Sequence, residues 1–244
     1  MIRVVGLGPG GRDEMTPRAL EALARCDVIL GYRAYIELIE PVLPGKEYRA
    51  SSMRQEADRC REALALSASG RAVGIVSSGD PGVYGMAGLL LELAGEDVDV
   101  EIVPGITAAV SAAAVLGAPL MNDFAVVSLS DLLTPWEAIE RRIEAASGAD
   151  FVLCLYNPAS RGRPEHFRRA CDLVLRHRSP ETPAGWVRNA GRSGERYGVT
   201  TLGAIRDVEL DMFCTAVIGC SATFVKGGRM VTRRGYRSAE EAER

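Results

Sequence analysis

Lysine is almost absent from this chain: of 29 basic residues only Lys46 and Lys226 are lysine, and there are only two histidines. The rest of the 29 are arginine, and it is the net charge of -3 that argues against a general nucleic-acid binder. The six cysteines (26, 60, 154, 171, 214 and 220) contain no C-x-x-C pair and no zinc-ligand spacing, so buried free thiols are expected rather than a metal centre. His166 and His177 stand eleven apart on one charged helical stretch, which is not a ligand spacing. No apolar run approaches the roughly 20 residues of a membrane helix. The N-terminus enters a strand pattern at once, without a basic stretch leading into a signal-like apolar core. These absences lead to the expectation of a cytoplasmic protein that uses no metal, membrane or nucleic acid. Composition is that of a globular protein, 47% hydrophobic and 25% charged.

What the chain does have is glycine and proline at the ends of strands. Residues 2–7 read as a strand ending in Gly6-Leu7-Gly8-Pro9-Gly10-Gly11. Residues 72–76 read as another buried strand, ending in Ser77-Ser78-Gly79-Asp80-Pro81-Gly82-Val83-Tyr84-Gly85. Val98, Val100 and Ile102 alternate into Pro104-Gly105-Ile106-Thr107-Ala108-Ala109. Glycine lets a backbone come close to a ligand, because no Cβ intervenes. In a parallel sheet all three loops would face one edge, where small molecules bind. Gly6, Gly8 and Gly11 also satisfy G-x-G-x-x-G, but the next strand ends in Leu30-Gly31-Tyr32-Arg33, without the acid that holds a dinucleotide ribose, and Pro9 removes a phosphate-binding N–H. A nicotinamide or flavin dinucleotide is therefore disfavoured.

Strands alternate with helices, which predicts a largely parallel α/β sheet. Thr16-Pro17 opens a helix as cap and first-turn proline. Met53, Ala57, Cys60 and Leu64 form the stripe of another. Gly117–Asp123 breaks the pattern, which predicts domains 1–118 and 119–244. In the second, strands are expected at 124–129, 151–155 and 184–187, and near 197–202, 214–219 and 229–232. Thr134-Pro135-Trp136-Glu137 reads as a capping box, a helix starts from Pro164, and the charged tail 238–244 is frayed or helical.

The three loops together resemble the tetrapyrrole methylases, over essentially the whole chain. Ser128-Leu129-Ser130-Asp131-Leu132-Leu133-Thr134-Pro135-Trp136-Glu137 and Tyr156-Asn157-Pro158-Ala159-Ser160-Arg161 are similar to the branch that methylates carbon 17 of a corrin precursor. The resemblance implies two α/β domains with S-adenosylmethionine in the cleft between them and S-adenosylhomocysteine as product. It implies cofactor contacts at Pro9, Ser78, Gly79, Asp80, Val83, Thr107, Ala108, Asn157 and Ala190. It further implies a small tetrapyrrole substrate, precorrin-3B or cobalt-factor III, contraction of the macrocycle during the reaction, and a homodimer. Ser128, Ser130 and Asp131 are the nearest polar cluster for the proton transfer that contraction needs. The acid that sister enzymes carry after the second strand is missing at Gly31-Tyr32-Arg33-Ala34. Methylation of another ring carbon, methylation of a protein side chain by a diphthamide-synthase relative, and a non-catalytic nucleotide-sensing module are the competing readings.

Overall fold

The apolar runs around the first and second glycine loops become neighbouring central strands. The computed structural model describes residues 1–160 and 162–236. The first unit, Met1–Ala108, runs β1 (Ile2–Gly6), α1 (Pro17–Ala24), β2 (Val28–Tyr32), α2 (Arg33–Ile39), β3 (Glu47–Ser51), α3 (Glu56–Ala68), β4 (Val73–Ser77), α4 (Ala87–Leu93) and β5 (Val100–Val103). All five strands are parallel, in the order β3-β2-β4-β1-β5. β1 and β4 are buried at every residue, as expected of parallel strands covered on both faces. Leu23 of α1 and Ile36 and Ile39 of α2 pack with Val5, Ile29, Val76 and Val103. Cys60 and Ala63 of α3 and Ala87 and Leu90 of α4 pack with Ile2, Val4, Leu30 and Ile75 in a separate layer. The chain leaves β1 towards β2 but leaves β4 in the opposite direction, towards β5. That reversal between two adjacent strands opens a crevice at their carboxyl ends.

The second unit begins at Ala109, one residue into α5 (Ala108–Leu116). It continues with β6 (Gly117–Ala118), β7 (Phe124–Ser128), α6 (Trp136–Gly148), β8 (Val152–Tyr156), α7 (His166–Leu175), β9 (Pro183–Arg188), β10 (Arg196–Thr201), α8 (Leu202–Ile205), β11 (Cys214–Ile218), β12 (Thr223–Lys226) and β13 (Arg229–Thr232). The unit boundary lies ten residues before the expected one, because Ala109, Ala112 and Leu116 of α5 pack with Val152, Cys154, Val187, Val217 and Met230. Its main sheet has the order β10-β9-β11-β8-β7. Only β7 and β8 are parallel; β11 runs antiparallel to both β8 and β9, and β10 antiparallel to β9. The parallel expectation thus describes the first unit, and the second is mixed.

Local signals decided most elements and misled at three places. Met53 precedes α3 and is 48% exposed, so the stripe of that helix begins inside it. His177 lies beyond the end of α7. Thr16 caps α1, its hydroxyl accepting from Ala19 N at 3.1 Å. The box expected at Thr134 does not form: Pro135 is itself the cap of α6, with ψ 140 and no side-chain capping bond. An extended proline there moves the helix start one residue on and leaves Thr134 outside it. The tail 238–244 lies outside the described residues.

Candidate cofactor and catalytic site

In the first unit the carboxyl ends of β4, β1 and β5 lie side by side, and their three loops touch through bare backbone. Gly8 N donates to Gly79 O at 3.1 Å and Gly79 N to Gly8 O at 2.7 Å. Both residues have positive φ, +70° and +66°, a conformation that favours glycine. Gly105 is held closer still: a Cβ there would stand 2.2 Å from Gly79 O and 2.8 Å from the Gly6 carbonyl carbon. Asp80 ties the arrangement together. Its Oδ1 accepts from Gly82 N at 2.8 Å and its Oδ2 from Gly105 N at 3.0 Å. Each carboxylate oxygen keeps a further lone pair for a ligand donor. The structure therefore brings Pro9, Ser78, Gly79, Asp80, Val83, Thr107 and Ala108 to one sheet edge, in loops packed so tightly that any β-carbon at Gly105 would collide with the backbone of Gly79 and Gly6. Such an edge suits a compact ligand carrying an amino group, which the amino-acid tail of S-adenosylmethionine provides.

In the second unit the carboxyl ends of β7, β8 and β9 also share an edge. Ser128 is in register with Tyr156, and Tyr156 with Thr215, which pairs Val187. Asn157 leaves β8 with φ +52°, and its Nδ2 donates to Ser128 Oγ at 3.0 Å. Ser130 N donates to the same oxygen at 3.3 Å. Asn157 and Ser128 thus belong to one hydrogen-bonded cluster. Ala190 follows Asn189, another residue of positive φ, at the end of β9, two strands along the same edge from β8.

Three residues that sequence reasoning missed complete this cluster. Arg163 donates through Nη1 to Leu129 O at 3.0 Å and to Asn157 O at 2.7 Å, clamping the two loops together. Tyr156 Oη accepts from Ala109 N at 2.5 Å, at the start of α5. His166 Nε2 lies 3.1 Å from Asp131 Oδ2, and its ring meets Trp136 edge-on with centroids 4.4 Å apart. Desolvation works to raise the Asp131 pKa. The hydrogen bond and charge of His166, the residue's own N–H and the Arg163 guanidinium outweigh it, and the carboxyl is held below its ordinary range. No spacing rule announces these partners, since they come from different elements.

The family is decided by the whole chain. The sequence profile of the Tetrapyrrole (Corrin/Porphyrin) Methylases matches residues 1–206. The chain belongs to this family. A probable cobalt-factor III C(17)-methyltransferase of Salmonella typhimurium is 47% identical over 97% of this chain and 99% of its own length. A protein of the same name from Methanocaldococcus jannaschii is 39% identical over 97% of this chain and 98% of its own. Among solved structures, the methyltransferase CobJ superposes with a TM-score of 0.89 at 37% identity, covering 95% of this chain and 99% of that one.

For a tetrapyrrole methylase the remaining reactive groups are soon placed. All six cysteines are free and buried. Desolvation pushes Cys154 and Cys171 up to about 12 and Cys214 to about 11, so these three offer no thiolate nucleophile near neutral pH. Among the described residues no cluster of three His, Cys, Asp or Glu side chains could hold a metal ion. A separate cavity of about 390 Å³, lined by Trp186, Arg188, Arg196 and Cys214 among others, contains none of the candidate residues.

Proposed function

We propose that this chain methylates carbon 17 of a tetrapyrrole, precorrin-3B or its cobalt-containing counterpart cobalt-factor III, with contraction of the ring, as a step of cobalamin biosynthesis. The observation that carries this reading is the 47% identity to the Salmonella protein along practically the full length of both chains. The glycine loops and the Ser128–Asn157–Asp131 cluster support it.

S-adenosylmethionine supplies an electrophilic methyl group and leaves as S-adenosylhomocysteine. The residues of the chain hold and orient. The backbone of Pro9, Gly79, Thr107 and Ala108 forms the bed, Asp80 accepts from the amino group, Ser78 and Val83 flank it, and Asn157 and Ala190 are further contacts. In-line displacement asks little covalent help from protein, so positioning in a dry site supplies most of the rate. Contraction also moves protons. Asp131 is the acceptor, held in place by His166 3.1 Å away, and Ser128 and Ser130 orient the substrate beside it. The enzyme works in the cytoplasm as a homodimer. Among the described residues no helix is long and apolar enough to cross a membrane.

The test is turnover of cobalt-factor III and of precorrin-3B, followed by absorption spectra, mass and carbon NMR. Product formation that requires both tetrapyrrole and S-adenosylmethionine, with the new methyl on carbon 17, is expected. Asp131→Asn should let a methylated, uncontracted macrocycle accumulate. A methyl on another carbon, or no turnover of either substrate, overturns the reading. Light scattering that returns a monomer overturns the homodimer.

A further inference from the structure

Arg59, on α3, is a buried cation without an anion. Only 4% of the residue is exposed. Its Nε donates to Ser51 Oγ at 2.8 Å and its Nη2 to Ser52 O at 3.2 Å, while Nη1 points at Met86 Sδ, 3.4 Å away. Among the described residues no carboxylate reaches ion-pair distance; Glu56, a turn earlier on the same helix, acts on it only through space. The contrast with the other buried arginines is informative. Arg3 is paired with Glu101; Arg178, also without an ion-pair partner among the described residues and with its Nε unsatisfied, gives its two terminal nitrogens to the carbonyls of Gly219 and Phe151. Arg59 alone of the three spends a terminal nitrogen on a thioether, a weak acceptor. Burial without a counter-ion is costly, and desolvation accordingly draws the Arg59 pKa down.

Position gives this charge a purpose. Ser51 ends β3 and is in register with Tyr32 at the end of β2. Met86 directly follows the loop Ser78–Gly85 and leads into α4. The guanidinium therefore sits at the carboxyl edge of the first sheet, the edge that carries the glycine loops.

We propose that Arg59 is a carboxylate subsite, which grips one acid side chain of the tetrapyrrole after that group displaces the Met86 thioether. The assignment of the ligand rests on the function proposed above. A guanidinium offers five N–H donors and binds a carboxylate through two parallel bonds. Exchanging a sulfur for a charged oxygen pair is favourable, and a methionine side chain swings aside more readily than a branched one. The tetrapyrrole is rich in acetate and propionate groups. The amino-acid carboxylate of the methyl donor has the same chemistry, and the experiment separates the two.

Met86→Glu and Met86→Gln are nearly isosteric and differ in charge. Glutamate supplies Arg59 with an internal counter-ion. Cobalt-factor III binding is followed by absorption titration and S-adenosylhomocysteine binding by calorimetry, for wild type, M86E, M86Q and Arg59→Met. We expect M86E to bind cobalt-factor III at least tenfold more weakly than M86Q while melting no lower, and R59M to lose at least tenfold against wild type. S-adenosylhomocysteine affinity should stay within about twofold throughout. Equal cobalt-factor III affinity in M86E and M86Q overturns the subsite and leaves Arg59 a structural tie. A loss confined to S-adenosylhomocysteine overturns the tetrapyrrole assignment. Wild-type protein that binds neither cobalt-factor III nor precorrin-3B overturns the functional reading and the subsite with it, whereas wild-type binding that survives both M86E and R59M overturns the subsite alone; if only precorrin-3B binds, the same comparison is made with it.

Discussion

Removing the Asp80 carboxylate should loosen the glycine loops as well as the ligand site. Its two oxygens accept from Gly82 N at 2.8 Å and Gly105 N at 3.0 Å. A hydrogen bond to a charged group contributes roughly 1.5–3 kcal/mol. Asp80 is partly exposed, so water can replace some of what is lost, and about 1 kcal/mol per bond is the discounted figure. Asp80→Ala then costs about 2 kcal/mol. In a chain of this size each kcal/mol moves Tm by roughly 2–4 °C, which gives a fall of roughly 4–8 °C. Asp80→Asn is the sharper probe. It keeps the acceptor facing Gly82 but turns an amide N–H towards the Gly105 N–H, donor against donor, so it should recover less than half of the loss. Calorimetric scans of the three proteins, with S-adenosylhomocysteine titrations alongside, read both effects. Variants that melt with wild type but bind S-adenosylhomocysteine more weakly would refute the loop-pinning argument and leave Asp80 a ligand group only.

Other perturbations test the architecture more locally. Gly105→Ala places a methyl 2.2 Å from a backbone oxygen that cannot rotate away; urea unfolding should show a loss of roughly 1–3 kcal/mol, and a change under about 0.5 kcal/mol would mean the loops yield freely. Thr16→Ala removes a real cap and should cost about 1 kcal/mol, whereas Thr134→Ala, which frees no helix donor, should stay within about 0.5 kcal/mol; the reverse order in thermal melts would restore the capping box. Stability should also fall on the alkaline side. Unfolded thiols lose their protons above their ordinary pKa of 9.0, while folded Cys154 and Cys171 hold theirs to about 12. In that window the unfolded state binds fewer protons, so each of these thiols removes about 1.4 kcal/mol of stability per pH unit. Cys154→Ala should make the decline shallower by one thiol's share, and a flat profile between about pH 9 and 11 would contradict the burial argument.

The residues alone settled what depends on short stretches of chain. Runs of buried apolar side chains marked β1, β4 and β8, and glycine with proline marked the loops that follow the first two. Those loops also carried the family, because their composition is dictated by local backbone geometry: positive φ at Gly8 and Gly79, and no room for a β-carbon at Gly105. Strands β3 and β12 went unread, since an edge strand with one wet face shows little apolar pattern. Thr16-Pro17 and Thr134-Pro135 look alike in sequence, yet the first proline is the first helical residue and the second stays extended as the cap. The pairings within the candidate site and the proposed subsite were left to tertiary structure. Asp80 meets Gly105 across 25 residues, Arg59 meets Met86 across 27, Ser128 meets Asn157 across 29 and Asp131 meets His166 across 35. Such contacts follow from strand order and from which face each helix covers. A periodicity of two or of 3.6 residues specifies an element and its buried side; it carries no information about the neighbour across the sheet.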